Sequence, residues 1–241
     1  MLVARELEVR AGARLLLSSA SFQIAPGDKI GLVGRNGAGK TTLTRILAGE
    51  GLPASGQVSR GGQIGYLPQD PRTGDLHQLV RDRILSARGL DRILLRLRKA
   101  EDEMASADDE TREAAMERYA RAENELIAAG GYAAEAEAAR IAANLALPDR
   151  ILGQELGTLS GGQRRRDELA RILFSSADTL LLDEPTNHLD ADSIVWLRNF
   201  LQSYSGGLMM ISHDTELLEA TVNKVLHLDA NRSELDVYAM N

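Results

Sequence analysis

The stretch GRNGAGKT, Gly34 to Thr41, restricts what this chain can fold into more than any other. It satisfies G-x-x-x-x-G-K-[ST] at every fixed position. An apolar segment, Lys29–Val33, precedes it, and an amphipathic one with Leu43, Ile46 and Leu47 on one face follows. That order predicts a strand, a tight loop and a helix that begins after Gly39 and ends near Gly51. Glycines let the backbone curl until several N–H groups face one anion, and the helix N-terminus adds a favourable field. Gly34, Arg35, Asn36, Gly37, Ala38 and Gly39 are therefore expected to wrap a chain of phosphates. Lys40 would reach the outer phosphates, Thr41 would place a hydroxyl on Mg2+, and Thr42 would add a second hydroxyl nearby.

The rest of the chain agrees with a globular α/β host for such a loop. Apolar residues make up 44% and charged residues 26% of 241 residues, enough for a sizeable core without staples. There is no cysteine, which excludes disulfide scaffolds, thiolate metal sites and thiol nucleophiles. No apolar run approaches the roughly 20 residues of a membrane-spanning helix, so no membrane insertion is expected. The net charge of −7 argues against gripping nucleic acid with the whole surface and leaves only local basic patches for that purpose. By absence of other addresses the expected setting is the cytoplasm. Strands are expected at Leu2–Val9, Ala20–Ile24, Gln57–Arg60, Gln63–Leu67, Thr179–Asp183, Gly207–Ile211, Lys224–Asp229 and Ser233–Val237, with a helix at Ala191–Ser203. Strands alternating with helices suggest a parallel sheet.

Two further motifs carry chemistry. In TLLLDEP, Thr179 to Pro185, an apolar strand ends in two acids. Successive strand side chains point to opposite faces, so Asp183 and Glu184 are expected to divide the work. Asp183 would sit by Mg2+, and Glu184 would act as general base toward a water beside the last phosphate. In LSGGQ, Leu159 to Gln163, Ser160 reads as a helix cap, and its hydroxyl and the backbone N–H groups could also bind phosphate. A chain with one phosphate loop needs this second anion site only for another nucleotide.

Phosphate loop, LSGGQ and the Asp–Glu strand, in that order, resemble the ATP-binding cassette (ABC) family over essentially the whole chain. The resemblance implies a phosphate-loop NTPase cassette of α/β class, 1–241 forming one nucleotide-binding domain. It would have a β-rich N-terminal part, a mostly parallel core sheet and a helical subdomain near 83–158. It also implies ATP and Mg2+ as ligands. Gln69 in YLPQD looks like the glutamine that senses Mg2+ and the γ-phosphate, His213 in ISHD like the histidine that contacts that phosphate, and Asp190 in NHLD like the residue coupling two sites. Ser160, Gly161, Gly162 and Gln163 would serve the nucleotide of a second cassette, so that ATP joins two cassettes head to tail.

TNHLD, Thr186 to Asp190, and LSGGQRRR, with Arg164, Arg165 and Arg166, are most similar to the ABC-F subfamily. This implies a partner cassette on the same full-length chain, or a homodimer of this one, and action on ribosomes and tRNA, in translation or in protection from antibiotics. With one cassette starting at Met1, the chain is expected to be the N-terminal half of such a protein, and slow as an ATPase alone. A transporter ATPase subunit and a non-catalytic nucleotide-gated module are the competing readings.

The middle stretch fits that subfamily. Ninety positions separate Gln69 from Leu159, more than a minimal cassette needs. The excess reads as a helical-hairpin arm at 88–131. Leu90, Ile93, Leu94, Leu97 and Met104 would line one helix and Met116, Tyr119, Ala120, Leu126 and Ile127 the other, with a turn at Ser106–Asp109. Arg88, Arg92, Arg96 and Lys99 recur at helical spacing, as an RNA-contacting stripe or as a solvated face paired with the acids of the second helix. Many cassettes stack adenine on an aromatic near the end of the first strand. Ala11 stands at that place, leaving Arg10 or Arg14 to lie over the base and implying weak discrimination between ATP and GTP. Trp196, Val195, Leu197, Phe200, Met209 and Met210 read as packing residues. Asp167, where an apolar residue is commoner, has no rationale in the sequence.

Overall fold

The computed structural model describes residues 1–70, 74–106 and 108–239. The chain divides into two compact units, Met1–Arg72 with Ser176–Asn241, and Thr73–Ser175.

The first unit holds two sheets. Strands β1 (Leu2–Ala11), β2 (Arg14–Ile24) and β4 (Ser55–Arg60) form an antiparallel sheet in the order β2-β1-β4. Strands β3 (Lys29–Val33), β5 (Ile64–Leu67), β6 (Thr179–Asp183), β7 (Gly207–Ile211), β8 (Lys224–Asp229) and β9 (Glu234–Ala239) form the second, in the order β5-β6-β7-β3-β8-β9. Five of these run parallel, and only β9 turns back against β8. Every residue of β6 and β7 is buried, which is why both read as unbroken apolar runs rather than alternating ones. Met209 and Met210 lie in this core, as expected. Register matters for chemistry: Asp183 pairs with Ile211, so the carboxyl ends of β6 and β7 finish level.

β2 begins six residues earlier than the sequence suggested. Its hairpin with β1 carries register shifts, and Glu6 and Ser19 have φ of 48° and 41°. Each irregularity breaks the in–out alternation on which a strand is recognised. Around the sheets lie α1 (Lys40–Ala48), α8 (Ala191–Ser203) and α9 (Thr215–Thr221). On α8, Leu197 is buried, Trp196 and Phe200 are half-buried with ring centroids 5.4 Å apart, and Val195 faces outward.

The second unit is helical: α2 (Val80–Leu85), α3 (Leu90–Ser106), α4 (Asp109–Ala128), α5 (Gly131–Asn144), α6 (Asp149–Leu152) and α7 (Gly161–Phe174). The hairpin is formed by α3 and α4. Ion pairs Arg96–Glu125 at 2.7 Å and Arg118–Glu103 fix its antiparallel register. Asp108 caps α4 by accepting from the Thr111 N–H at 2.9 Å. The expected turn at 106–109 falls partly on residue 107, outside the described residues.

On α4 the seam differs from expectation in part. Leu126 is buried, as expected, and Tyr119 is half-buried, but Met116, Ala120 and Ile127 face outward and Ala115 and Ala122 are buried instead. Two alanines seven residues apart let the helix backbones approach, which large side chains at those places would prevent. Ranking by hydrophobicity therefore finds Leu126 but misplaces the rest of the stripe, because small residues take the places of closest approach. Among the described residues no helix is long and apolar enough to cross a membrane.

Candidate functional site

The phosphate loop runs from the end of β3 into α1. At Gly34, φ is +153° and a Cβ would stand 2.6 Å from the Leu228 carbonyl oxygen. At Gly39, φ is +106° and a Cβ would stand 2.8 Å from Leu16 Cδ1. Both positions therefore need glycine for conformation and for space. The Lys40 ammonium donates to the carbonyls of Gly34 at 2.7 Å and Arg35 at 3.1 Å, so the loop curls around its own cation.

A cleft of about 470 Å³ opens over this loop, entirely within the first unit. Asn36, Gly37, Gly39, Lys40, Thr41 and Thr42 line its floor, and Gln69, Asp183, Glu184 and His213 line its wall. The structure thus brings together residues as far apart as 36 and 213. Thr41 Oγ1, in the first turn of α1, donates to Asp183 Oδ2 at the end of β6 at 2.7 Å. Asp183 is nearly fully buried.

Glu184 is positioned differently from the sequence reading. It is not the next residue of a strand facing the opposite side. Its φ is +51°, and its N–H donates to the Ile211 carbonyl at 2.9 Å. A left-handed residue other than glycine costs about 1 kcal/mol or more, a strain held here by the neighbouring strand. The twist sends the carboxylate into the same cleft as Asp183, where it accepts from the His213 N–H at 3.2 Å and lies 3.5 Å from His213 Nε2. Glu184 is buried, whereas the imidazole of His213 is 74% exposed. A buried carboxylate held by its backbone beside an exposed imidazole suits proton acceptance from a water.

Three lining residues were not singled out in the sequence. Asn187 lies three residues beyond Glu184 inside TNHLD and was legible from its place. Leu16 and Ile211 reach the cleft only through strand packing. Asp190 caps α8 by accepting from the Ser193 N–H at 2.9 Å. In the second unit Ser160 caps α7: its Oγ accepts from the Gln163 N–H at 3.2 Å, while Gln163 Oε1 accepts from the Ser160 N–H at 2.9 Å. This reciprocal box fixes the start of the helix that carries Gly161 and Gly162.

The basic stripe is corrected at one position. Arg88 is not on α3 but in the single turn before it. Its guanidinium binds Glu137 through two bonds of 2.8 and 3.0 Å, donates to the Phe174 carbonyl at 2.7 Å and covers the Phe174 ring at 3.9 Å. It is half-buried against the helical unit, held there by a planar fork that matches carboxylate and ring alike. Arg92, Arg96 and Lys99 remain on the exposed side of α3.

Asp167 lies buried on α7 beside Glu168, which Arg83 and Arg171 grip at 2.6 to 3.0 Å. Burial, then the adjacent Glu168 carboxylate, pushes the Asp167 carboxyl up to about 8.

A six-stranded, mostly parallel sheet with a glycine loop and an acidic pair at its carboxyl edge is the frame of a phosphate-loop nucleotide-binding protein. The family described as ABC transporter matches residues 17–187. The chain belongs to that family of ATP-binding cassettes, a family of ATPases. It is 40% identical to the tylosin resistance ATP-binding protein of Streptomyces fradiae over 90% of this chain and 40% of that one. It is also 40% identical to the energy-dependent translational throttle protein of Haemophilus influenzae over 90% and 39%. These relatives are ABC-F proteins, the subfamily that TNHLD and LSGGQRRR resemble. The chain thus spans about two fifths of the length of the relatives it matches. Its fold is that of a dimeric ATP-binding cassette solved with ADP and phosphate, with a TM-score of 0.68, 18% identity and coverage of 100% and 99%.

Proposed function

We propose that this chain binds and hydrolyses ATP and that it closes head to tail on a second cassette to regulate action on the ribosome. The carrying observation is the single cleft in which Lys40, Thr41, Gln69, Asp183, Glu184 and His213 converge. Lys40 and the loop N–H groups take the β- and γ-phosphates. Among the described residues no cluster of three His, Cys, Asp or Glu could hold a metal alone. The Thr41 hydroxyl, the Asp183 carboxylate and the Gln69 amide supply hard oxygens, which suits Mg2+ completed by phosphate oxygens and water. Bound there, the ion would neutralise charge developing on the phosphates. Glu184 takes a proton from a water as its oxygen bonds to the γ-phosphorus. The bond from that phosphorus to the bridging oxygen breaks, giving ADP and phosphate. His213 and Gln69 orient the water and the γ-phosphate.

In this reading the two units form one domain, with residues 88–131 as its arm. Ser160 and Gly162 serve the partner cassette's nucleotide, in the partner on the same full-length chain or in a second copy, and Asp190 couples the two sites. Arg92, Arg96 and Lys99 meet ribosomal RNA or tRNA, in the cytoplasm. The names of the relatives, a translational throttle and an antibiotic resistance protein, support this reading.

The test is Glu184→Gln in the full-length protein. ATP binding should persist, turnover should fall by about 10²- to 10⁴-fold, the usual worth of a general base, and ATP-dependent co-sedimentation with ribosomes should increase. Undiminished turnover would remove Glu184 as the base, and sedimentation indifferent to ATP would remove the ribosomal role.

A further inference from the structure

The proposed chemistry makes no use of the buried acid on the helix that begins at Ser160. Gln163, Asp167 and Arg171 follow at intervals of four residues and so share one face of α7, with Asp167 about two turns below the Ser160 cap. Asp167 is buried, and its Oδ1 has no hydrogen-bond partner among the described residues. Its neighbour Glu168 is buried too, yet it accepts from Arg83 of α2 at 3.0 Å and from Arg171 at 2.9 and 2.6 Å. Two adjacent acids thus meet two arginines, and Glu168 takes every hydrogen bond that these guanidiniums make with described residues.

Within the helical unit α7 packs against α2, α5 and the turn before α3. The charges that act on Asp167 are Glu168, Arg83 and Arg171. The other charges of these elements are engaged elsewhere or face outward. On α2, Asp82 is bound by Arg98 at 2.7 and 2.9 Å and Arg81 is exposed. On α5, Glu137 is bound by Arg88 from the turn, Glu135 acts on Arg98, and Arg140 is exposed. On α7, Arg166 donates to the Ala146 carbonyl at 3.2 Å. An ionised Asp167 therefore finds a partner only by taking an arginine from Glu168, and a buried carboxylate left without one is costly. The Arg83–Glu168 pair ties α2 to α7, so that exchange acts on the joint between the two helices.

Resting on the reading that Ser160 and Gly162 serve the partner cassette's nucleotide, we propose that Asp167 is a positioning residue for that reaction. While it keeps its proton, both arginines stay on Glu168 and the Ser160 end of α7 is held. When the proton leaves, two carboxylates compete for Arg83 and the joint slackens, so turnover is braked as pH rises. Burial, then the Glu168 carboxylate, place the loss of this proton at about 8, within reach of ordinary working conditions.

The experiment measures steady-state ATP turnover of the full-length protein from about pH 6.5 to 9 for the wild type, Asp167→Asn and Asp167→Ala. Neither variant can ionise there, and either one suffices if the other does not fold. The ratio of wild-type to variant turnover should be constant below about pH 7 and fall by about 2- to 30-fold by about pH 9, the span of couplings carried through packed networks. The fall should lie in kcat, with KM for ATP steady and far-ultraviolet circular dichroism unchanged over the range. A ratio that does not change with pH would overturn the proposal, as would a fall that follows loss of helical signal, since Asp167 would then act on folding alone. Ser160→Ala, assayed in parallel, separates the two levels of the argument. Normal turnover of that variant at every pH would remove the role of Ser160 itself, whereas lost turnover there with a flat Asp167 ratio would remove only Asp167.

Discussion

Asp167 offers a test of the helical unit that needs no ligand. The side chain is 2% exposed, and its Oδ1 has no hydrogen-bond partner among the described residues. Burial and Glu168 raise its carboxyl to about 8, against the charges of Arg83 and Arg171, which pull it down. Those two arginines are spent on Glu168, whose carboxyl stays below the usual range despite its burial. An unfolded Asp titrates near ~3.9. Between the two values the folded chain holds a proton that the unfolded chain has lost. Stability from this group is therefore complete below the unfolded value, falls as pH rises toward the folded value, and is flat above it. The slope is about 1.4 kcal/mol per pH unit, or about 3 kcal/mol between pH 5 and 7.5. Asp167→Asn keeps the shape and cannot ionise. Urea titrations followed by far-ultraviolet circular dichroism, run on both proteins at several pH values, give the difference in unfolding free energy. That difference should move in favour of the variant by about 3 kcal/mol across the window. A difference constant with pH would show that Asp167 is ionised in the fold and that the reasoning is wrong.

Further outcomes follow from the cap and the arm. Ser160→Ala removes the acceptor for the Gln163 N–H and should destabilise the helical unit by about 1 kcal/mol, read as a lower denaturation midpoint. In the full-length protein it should also abolish most turnover while ATP binding to Lys40 persists, and normal turnover would refute a role toward the partner's nucleotide. Replacing Arg92, Arg96 and Lys99 by glutamine should change stability by less than about 0.5 kcal/mol, because the Arg96–Glu125 pair is half exposed and such pairs contribute little. The same variant should lose ribosome co-sedimentation, and retained sedimentation would assign the stripe to solvation alone.

The phosphate loop, the acidic strand end and the ABC-F resemblance were all legible in the sequence, because each depends on residues close together in the chain. Gly34 and Gly39 declare a backbone that no other residue adopts, and TLLLD and GLMMI declare strands buried on both faces. What the sequence left open were directions in space. The strand rule put Glu184 opposite Asp183, but a left-handed backbone at Glu184, held by Ile211 across the sheet, turns both carboxylates into one cleft. Hydropathy ranked Met116 and Ile127 as seam residues, but close approach of two helices favoured Ala115 and Ala122. Charge periodicity joined Arg88 to the stripe, but a Phe174 ring and a Glu137 carboxylate brought near by packing hold it, half-buried, off that stripe. Arg10 and Arg14 were equivalent in the sequence, and the structure separates them: Glu8 holds Arg10 at 2.6 Å, whereas Arg14 lines the cleft. Local sequence determines what a segment can form, whereas the partner that satisfies each side chain comes from residues tens or hundreds of positions away.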